Sequence, residues 1–389
     1  MAPEGKVRHM TPSIFIAGTA QHSGKTLVSL GLLSLLRDRG YNAAYMKPVG
    51  QRTVSFRDAI VDEDVALISQ VFATHSAPTT SNPVTIPAGY TRRFLEEGCA
   101  QQELSDKILH AYERLARDAD VVVVEGTGHA GVGAVIGLSN ARVARLLGSS
   151  AVIVSGGGIG RPLDEFELNQ ALFHQEQVPV LGMISNKVLP ERVGELGEAL
   201  VRWLRPHGYQ LYGTIPYEPS LAAISVGQIA EETGAQIISG ADLLHRKMRK
   251  FIIGAAPCQH MLQFFTSGVL MITPGDREDL VLAAITWDQA HAAGASEGIG
   301  VCVTSNVLPH RDVVELAVRA RVPLIAVPDD PYSVATRISS LVAKITPDDA
   351  EKVTVAKRLV ECYLDVEGLI AKLGLRTGAP VPAGAVVNS

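Results

Sequence analysis

The chain has 389 residues, of which 47% are hydrophobic, 19% charged and 5% aromatic. Because one hydrophobic core rarely serves more than about 250–300 residues, this length predicts two domains. The formal net charge of −5 gives no electrostatic reason to expect nucleic acid or an anionic membrane as a partner. The hydrophobic residues are mainly Val, Ile, Leu and Ala, which suits buried parallel strands and predicts an α/β fold.

The cysteines and the N-terminus bear on the compartment. Cys99, Cys258, Cys302 and Cys362 are far apart and make no paired metal-binding spacing, which favours unpaired thiols in a reducing compartment. Residues 1–12 are polar, lack the apolar stretch of a secretion signal and are interpreted as a disordered or tag-like N-terminus. No segment is apolar over the length that spans a bilayer, so we expect a cytoplasmic protein.

The first predicted elements are a buried strand at residues 14–17 and a helix at residues 26–36, joined by the loop GTAQHSGKT. Its glycines leave backbone N–H groups free to turn toward a polyphosphate, while Lys25 supplies a charge and Thr26 a hydroxyl for a metal ion. The outer glycines enclose five residues, whereas the common phosphate-binding loop has four. A chance Gly-Lys-Thr in an ordinary helix is the alternative, and the flanking strand and helix argue against it. The predicted nucleotide contacts here are Gly18, Gln21, His22, Ser23, Gly24, Lys25, Thr26 and Leu27.

Charged residues follow the second predicted strand, residues 42–46. Pro48 prevents this strand from continuing, so Lys47 is expected at the carboxyl edge of the sheet beside the phosphate loop, with a solvated surface lysine as the alternative. Three acids at residues 62–64 lead into a helical stretch. Acids at a helix start interact favourably with its dipole, and beside a nucleotide one carboxylate could instead hold Mg²⁺, directly or through water.

A long loop with little regular structure is predicted over residues 73–102, because this segment is rich in proline, glycine, serine and threonine. A helix is predicted over residues 103–117. The four valines that follow indicate a central strand ending in Glu125, where P-loop proteins keep the carboxylate that contacts metal or water. His129, in the glycine-rich loop beyond, is interpreted as an exposed loop histidine, with substrate contact as the alternative.

Further strands are predicted at residues 151–154, 181–187 and 209–214. Asn186 ends the second of these, where P-loop proteins of this layout often contact the base. A guanine-specific site would carry an aspartate at the position of Leu189, so GTP is disfavoured. The prolines at 216 and 219 mark a domain boundary.

The motifs GTAQHSGKT, YMKPVG, VVVVEGTGH, ISNK and GTIPYEP occur in the order seen in dethiobiotin synthetase, which residues 13–219 resemble. The resemblance implies a P-loop NTPase fold with a mostly parallel sheet flanked by helices, and ATP and Mg²⁺ as cofactors. The implied metal ligands are Thr26, Asp64 or alternatively Asp62, and Glu125. The implied catalytic residues are Lys25, Lys47 and Glu125, and Asn186 would lie near adenine. Ala20, Gln21 and His22 stand where the synthetase has acidic residues, so carboxylation of its diamine substrate is not expected.

Residues 224–345 resemble the DRTGG domain, a small α/β module that occurs beside such P-loop domains in long bacterial phosphotransacetylases. The matching stretches are SGADLLHRKMRKFIIGA and ITPGDREDLVLAAI. The resemblance implies a ligand-sensing or assembly module, which would contact an effector or a partner enzyme. Residues 346–389 are predicted to form C-terminal helices and a tail, too short for a phosphotransacetylase catalytic domain.

Three functions are compatible with these features. The first is a sensor that binds ATP·Mg²⁺, hydrolyses it slowly and acts through the second domain. The second is an ATP-dependent ligase that phosphorylates a carboxylate or carbamate before an amine attacks. The third is a regulatory subunit in acyl phosphate metabolism, which is suggested only by the proteins in which these two domains occur together. By analogy with dethiobiotin synthetase, a homodimer or higher homo-oligomer is expected.

Overall fold

The computed structural model describes residues 11–97, 101–291, 298–341, 343–347 and 349–375. Cys99, most of the predicted tag-like N-terminus and the predicted tail beyond residue 375 lie outside the described residues. The chain divides into two compact units, one formed from the described parts of Met1–Tyr217 and Ile345–Ser389 and the other from Glu218–Lys344.

The first unit contains a six-stranded parallel sheet in which the strand at Ser13–Gly18 is flanked by Val121–Glu125 and Ser150–Ser155. The strands of this part of the chain are β1 (Ser13–Gly18), β2 (Ala43–Met46), β3 (Val49–Gly50), β4 (Thr53–Phe56), β5 (Ala59–Asp62), β6 (Val84–Thr85), β7 (Val121–Glu125), β8 (Ser150–Ser155), β9 (Val180–Val188) and β10 (Gln210–Pro216). The central sheet has the order β10-β9-β8-β1-β7-β2. Its inner strands are apolar on both faces because helices cover both, as the valine-rich sequence predicts. The predicted α/β fold is confirmed.

The helices of this part are α1 (Lys25–Asp38), α2 (Glu63–Val71), α3 (Pro78–Ser81), α4 (Tyr90–Glu97), α5 (Gln101–Ala116), α6 (Asn140–Leu146), α7 (Gly160–Gln175) and α8 (Val193–Leu204). One face of the sheet packs against α5, α6, α7 and α8 in a single apolar cluster. Phe15 of β1 and Phe173 of α7 meet edge to face within it, with ring centroids 6.2 Å apart. This packing anchors β1, and therefore the loop that follows it.

The expectation of an irregular loop over residues 73–102 was wrong, because α3, β6 and α4 lie in this segment. Pro78 occupies the first turn of α3, where its missing N–H costs nothing. Val84 pairs with Val49 in a parallel ladder, and Tyr90 stacks on Phe94 one helical turn away. Composition indicated a loop, but tertiary partners supplied the contacts that hold regular structure.

The second unit has a five-stranded sheet in the order β12-β17-β16-β15-β14, parallel except for β12. Its strands are β11 (Ile224–Ser225), β12 (Gln236–Ser239), β13 (Lys247–Met248), β14 (Lys250–Ile253), β15 (Val269–Pro274), β16 (Gly300–Thr304) and β17 (Leu324–Ala326). Its helices are α9 (Pro219–Ala222), α10 (Val226–Thr233), α11 (Cys258–Met261), α12 (Glu278–His291), α13 (Arg311–Ala320) and α14 (Pro331–Ser340). Apolar clusters lie on both faces of the sheet, with α12 and α13 on one and α10 and α14 on the other.

Two C-terminal helices, α15 (Ala350–Tyr363) and α16 (Val366–Lys372), return to the first unit. Gly31 of α1 allows a close approach of α15, since a Cβ atom there would lie 2.4 Å from Val360 Cβ. Leu364 forms an antiparallel bridge with Gly213 of β10. The sequence predicted these helices but not the unit to which they belong. Among the described residues, no helix combines the length and hydrophobicity that crossing a membrane requires.

Candidate functional site

The loop between β1 and α1 turns polar groups toward its own interior. A Cβ atom at Gly18 would lie 2.4 Å from Ser23 Oγ and 2.9 Å from Lys25 Nζ, so both atoms face the space beside this glycine. Lys25 Nζ donates to the carbonyl of Ala20 at 3.2 Å. Ser23 Oγ is buried and has no hydrogen-bond partner in the described part of the chain. A buried hydroxyl is costly unless it is bonded, so the loop interior suits a ligand that accepts hydrogen bonds.

The start of the helix is built by residues in unusual backbone conformations. Gly24, which precedes α1, has φ = 102°, and His22 has φ = 60°. Both values lie in the left-handed region, which glycine adopts freely. A Cβ atom at Gly24 would also lie 1.9 Å from Asn186 Nδ2, so glycine is required here by space as well as by conformation.

Three predicted metal ligands meet at the carboxyl edge of the sheet. Thr26 Oγ1 lies 2.9 Å from Glu125 Oε1 and 3.2 Å from Asp64 Oδ1. Glu125 ends β7, next to β1, and Asp64 lies in the first turn of α2. Parallel strands end at one edge of a sheet, which explains how residues far apart in sequence converge. Hydroxyl and carboxylate oxygens are the ligands that Mg²⁺ prefers.

The Lys47 ammonium lies among three carboxylates. Its Nζ is 3.2 Å from Asp62 Oδ1 and 3.4 Å from Glu125 Oε1, and it contacts Asp64 Oδ2 more closely still. Only 7% of the Lys47 side chain is exposed, and 1% of that of Glu125. The alternative of a solvated surface lysine is therefore wrong, because the acids at the ends of β5 and β7 enclose the ammonium group.

Asp62 and Asp64 have different surroundings, which bears on which of them is the metal ligand. The Asp62 carboxylate caps α2 through the backbone N–H of Asp64 at 3.1 Å. It also accepts from the backbone N–H groups of Gln51 at 2.9 Å and Arg52 at 3.2 Å. Three backbone N–H groups thus donate to the Asp62 carboxylate, whereas the Asp64 and Glu125 carboxylates both contact the Thr26 hydroxyl. The geometry favours Asp64.

Burial and charge shift the ionisation of this cluster. Burial lowers the pKa of Lys25 to about 8. Burial would also lower the pKa of Lys47, but Asp64, Glu125 and Asp62 outweigh it and raise this pKa well above its usual value. Burial raises the pKa of Glu125, although Lys47 opposes the shift. For Asp64 the attraction of Lys47 and its hydrogen bonds outweigh burial, so its pKa lies below the usual range.

Asn186 supports the loop from the end of β9. Its Nδ2 donates to the carbonyl of Ser23 at 2.8 Å, and the neighbouring Lys187 donates from Nζ to the carbonyl of His22 at 2.9 Å. Asn186 is 3% exposed, so its amide is buried against the loop. The sequence placed Asn186 near a base and did not predict this bracing contact.

Two further polar residues were missed by sequence reasoning. Asn82 holds two site segments together, because its Oδ1 accepts from the Asp62 N–H at 2.8 Å and its Nδ2 donates to the Lys47 carbonyl at 2.8 Å. Tyr45 OH donates to Glu125 Oε2 at 3.0 Å. Asn82 lies in the segment predicted to be irregular and carries no motif. The signal for Tyr45 was its place on β2, two residues before Lys47.

The loop after β7 is held by Asn140 of α6. Its Nδ2 donates to the carbonyls of Thr127 and His129, both at 2.7 Å. His129 is exposed, and its Nδ1 accepts from the Gly131 N–H at 3.2 Å, as expected of an exposed loop histidine.

The central strand of a parallel sheet leads into a glycine-lined loop, and Lys25 and Thr26 begin the next helix. Glu125 ends the adjacent strand and contacts Thr26. This arrangement defines a P-loop NTPase fold. Residues 12–225, more than half of the chain, match the AAA domain family model AAA_26, and the chain belongs to this family. Residues 228–341 match the DRTGG domain. The resemblance to a dethiobiotin synthetase-like P-loop domain followed by a DRTGG domain, as in long bacterial phosphotransacetylases, is confirmed.

Curated relatives include phosphate acetyltransferases of Pseudomonas putida, 31% identical over 379 residues, and of Pseudomonas aeruginosa, 30% identical over 385 residues. Each match covers 93% of this chain and 52% of the relative, so the chain spans about half the length of these enzymes. Among solved structures, the MinC:MinD cell division protein complex of Aquifex aeolicus is similar, with 16% identity and a TM-score of 0.33. That match covers 54% of this chain and 83% of the other.

Proposed function

We propose that the first unit binds ATP together with Mg²⁺, hydrolyses ATP slowly and exerts a regulatory role through the DRTGG unit. The observation that carries this proposal is the loop interior, where Ser23 Oγ and Lys25 Nζ face the space beside Gly18. Lys25 and backbone N–H groups of the loop would neutralise the β- and γ-phosphates.

The oxygen atoms beside this loop fit Mg²⁺. Thr26, Asp64 and Glu125 would hold the ion, which when bound neutralises charge on the phosphates. The preference for Asp64 over Asp62 follows from the backbone hydrogen bonds that occupy Asp62.

Slow hydrolysis is supported by the contacts of Glu125. Its Oε1 accepts from Thr26 and its Oε2 accepts from Tyr45, so both carboxylate oxygens are engaged. A carboxylate held in this way is suited to orienting a group rather than to taking a proton from water. Adenine is preferred to guanine because Leu189 replaces the aspartate of a guanine site.

A regulatory role is supported by the substrate side of the loop. Ala20, Gln21 and His22 offer no acidic group to a diamine, and Arg52 reaches His22 Nε2 at 3.3 Å. The curated relatives are named phosphate acetyltransferases, so the partner enzyme or effector would belong to acyl phosphate metabolism. We expect a cytoplasmic homodimer or higher homo-oligomer, in keeping with the free thiols of Cys258, Cys302 and Cys362.

An ATP-dependent ligase is the second candidate, favoured by Lys47 lying 3.4 Å from Glu125 beside the proposed γ-phosphate position. Turnover of ATP would be measured alone and with bicarbonate, diamines or small carboxylates. Stimulation by one of these favours the ligase, whereas a flat, slow rate favours the sensor.

Nucleotide binding itself is tested by isothermal titration with ATP and Mg²⁺. We expect Lys25→Met to abolish binding because the buried Lys25 ammonium faces the loop interior beside Gly18. Lys107→Met, at an exposed position of α5, is the matched control and should bind as the wild type does. Equal affinity of the wild type and Lys25→Met would refute the proposal.

A further inference from the structure

The acidic cluster of the site already surrounds a cation. Lys47 Nζ is within 3.4 Å of Asp62, Asp64 and Glu125. Glu125 Oε1 accepts from both the Thr26 hydroxyl and the Lys47 ammonium. Among the described residues, no group of three or more acidic, His or Cys side chains is arranged to hold a metal ion. The Lys47 ammonium instead contacts Asp64 and Glu125, the two carboxylates proposed to hold Mg²⁺.

The Lys47 ammonium partly neutralises the three carboxylates that surround it. Three carboxylates and one ammonium leave a formal charge of −2 among side chains that are 18% exposed for Asp64 and less for the other three. Uncompensated buried charge is strongly destabilising, so the acids need a cation whether or not a nucleotide is bound. Lys25 Nζ lies beside Gly18 and donates to the Ala20 carbonyl, whereas Lys47 Nζ makes the close contacts to the three acids.

The Lys47 side chain can move without disturbing the backbone that carries it. Its backbone N–H donates to the Ser81 carbonyl at 2.7 Å, and its carbonyl accepts from Asn82 at 2.8 Å. The four-carbon side chain beyond this fixed point has several rotatable bonds. The ammonium can thus leave the acids for a nearby anion while β2 and the Asn82 contact remain in place.

We propose that Lys47 is the resident cation of this pocket and that it excludes Mg²⁺ until the phosphates of a nucleotide draw the ammonium away. Mg²⁺ and nucleotide then bind with positive coupling, because each favours the arrangement in which Lys47 has left the acids. This inference rests on the proposed function, since it requires that the same oxygens hold Mg²⁺ when the nucleotide is bound.

The test is the affinity for Mg²⁺ in the absence of nucleotide, measured by isothermal titration on protein freed of metal with EDTA. Lys47→Met should bind Mg²⁺ at least about tenfold more tightly than the wild type, because a competing occupant no longer reduces the fraction of open pockets. Lys47→Arg keeps a cation among the acids and should show no such gain in affinity for Mg²⁺. Lys107→Met, which removes a remote charge on α5, is the control and should not differ from the wild type.

A second measurement separates this inference from the proposed function. The same preparations are titrated with adenylyl imidodiphosphate and Mg²⁺. If the wild type binds neither adenylyl imidodiphosphate nor Mg²⁺ in this titration, the proposed function fails. If the wild type binds both, but Lys47→Met gains no affinity for Mg²⁺ alone, the proposed function stands and the role of Lys47 as resident cation is refuted.

The Lys47→Met variant exposes three buried acids to one another and could unfold without metal. In that case circular dichroism of Lys47→Met and Lys47→Gln is recorded in EDTA and in Mg²⁺. Recovery of a cooperative thermal transition in Mg²⁺, with no such effect on the wild type, supports the inference. Failure of both variants to recover in Mg²⁺ contradicts it, since the pocket then does not accept the metal in place of the ammonium.

Discussion

The Thr26 hydroxyl donates to Glu125 Oε1 at 2.9 Å, although 99 residues separate the two along the chain. This contact joins the first turn of α1 to the end of β7. It brings the predicted phosphate loop and the predicted catalytic carboxylate into one site. The loop and the carboxylate can each be tested by its own substitution.

Replacing Glu125 by glutamine should leave ATP binding intact and lower hydrolysis. Glutamine keeps an oxygen for Thr26 or Tyr45 but loses the charge proposed to hold Mg²⁺, so we expect turnover to fall by roughly 10²-fold. Phosphate release and ATP affinity are measured on the same protein, with Glu103→Gln at an exposed position of α5 as control. Unchanged hydrolysis in Glu125→Gln would mean that the carboxylate has been misassigned.

Adding one methyl group at Gly18 should block the phosphate loop. The new Cβ would lie 2.4 Å from Ser23 Oγ and 2.9 Å from Lys25 Nζ, so Gly18→Ala should bind nucleotide at least about tenfold more weakly. Gly194→Ala on α8 is the matched control, since no atom lies within 4 Å of the Cβ it would add. Equal nucleotide affinity of the two variants would contradict the geometry of the loop.

Gly31 should be intolerant of alanine because α15 packs directly on it. The added Cβ would lie 2.4 Å from Val360 Cβ, and overpacking of this kind costs about 1–3 kcal/mol. Urea unfolding, followed by circular dichroism, measures the loss. The double variant Gly31→Ala with Val360→Ala should recover part of it, and the absence of any coupling would show that α15 does not pack on α1 in solution.

The second unit contains a buried ion pair whose disruption should be costly. Arg246 donates to Asp288 Oδ1 at 2.9 Å, and the two side chains are 3% and 5% exposed. Asp288→Ala removes the acidic partner of a buried guanidinium, so we expect a loss of about 3–5 kcal/mol in the free energy of unfolding.

This loss is measured on a Trp203→Phe background, in which Trp287 of α12 is the only tryptophan and reports on the second unit. Asp242→Ala is the control. Asp242 pairs with Arg321 at the surface, where such pairs contribute little, so Asp242→Ala should change the unfolding free energy far less than Asp288→Ala does. Similar losses for Asp288→Ala and Asp242→Ala would refute the structural role of the buried pair.

Cys302 should make the stability of the second unit depend on pH. Burial raises the pKa of its thiol to about 12, whereas an unfolded cysteine has a pKa of about 8.5. The thiol is neutral in both states below about pH 8.5, so its contribution is fully present there and is lost as pH rises toward 12. The unfolding free energy of the wild type should therefore fall more steeply between pH 8 and pH 10 than that of Cys302→Ala.

Thiol labelling checks the same burial independently. At pH 8 the exposed Cys362 should react quickly with an aromatic disulfide reagent, while Cys302 should react only after unfolding in urea. Rapid labelling of Cys302 in the folded protein would show that the strand β16 is more open than its packing indicates.

Much of the candidate site could be predicted from the sequence, because its residues stand at strand ends and helix starts. A strand followed by glycines, Lys25 and Thr26 is the local sequence pattern of a phosphate-binding loop. Lys47 directly follows one predicted strand and Glu125 ends another, and parallel strands have their carboxyl ends at one edge of the sheet. Local pattern and one general rule of topology were therefore sufficient for these residues.

The remaining contacts were decided only by the tertiary structure, because they join segments that no local pattern links. Asn82 clamps Lys47 to Asp62 from within a stretch whose composition indicated a loop. Asn186 braces the loop across 163 residues, and α15 returns to pack on Gly31 after the whole second unit. The sequence alone determined which chemistry is present and roughly where. Which ammonium neutralises which acids, and which helix closes the first unit, depended on long-range packing that only the folded chain specifies.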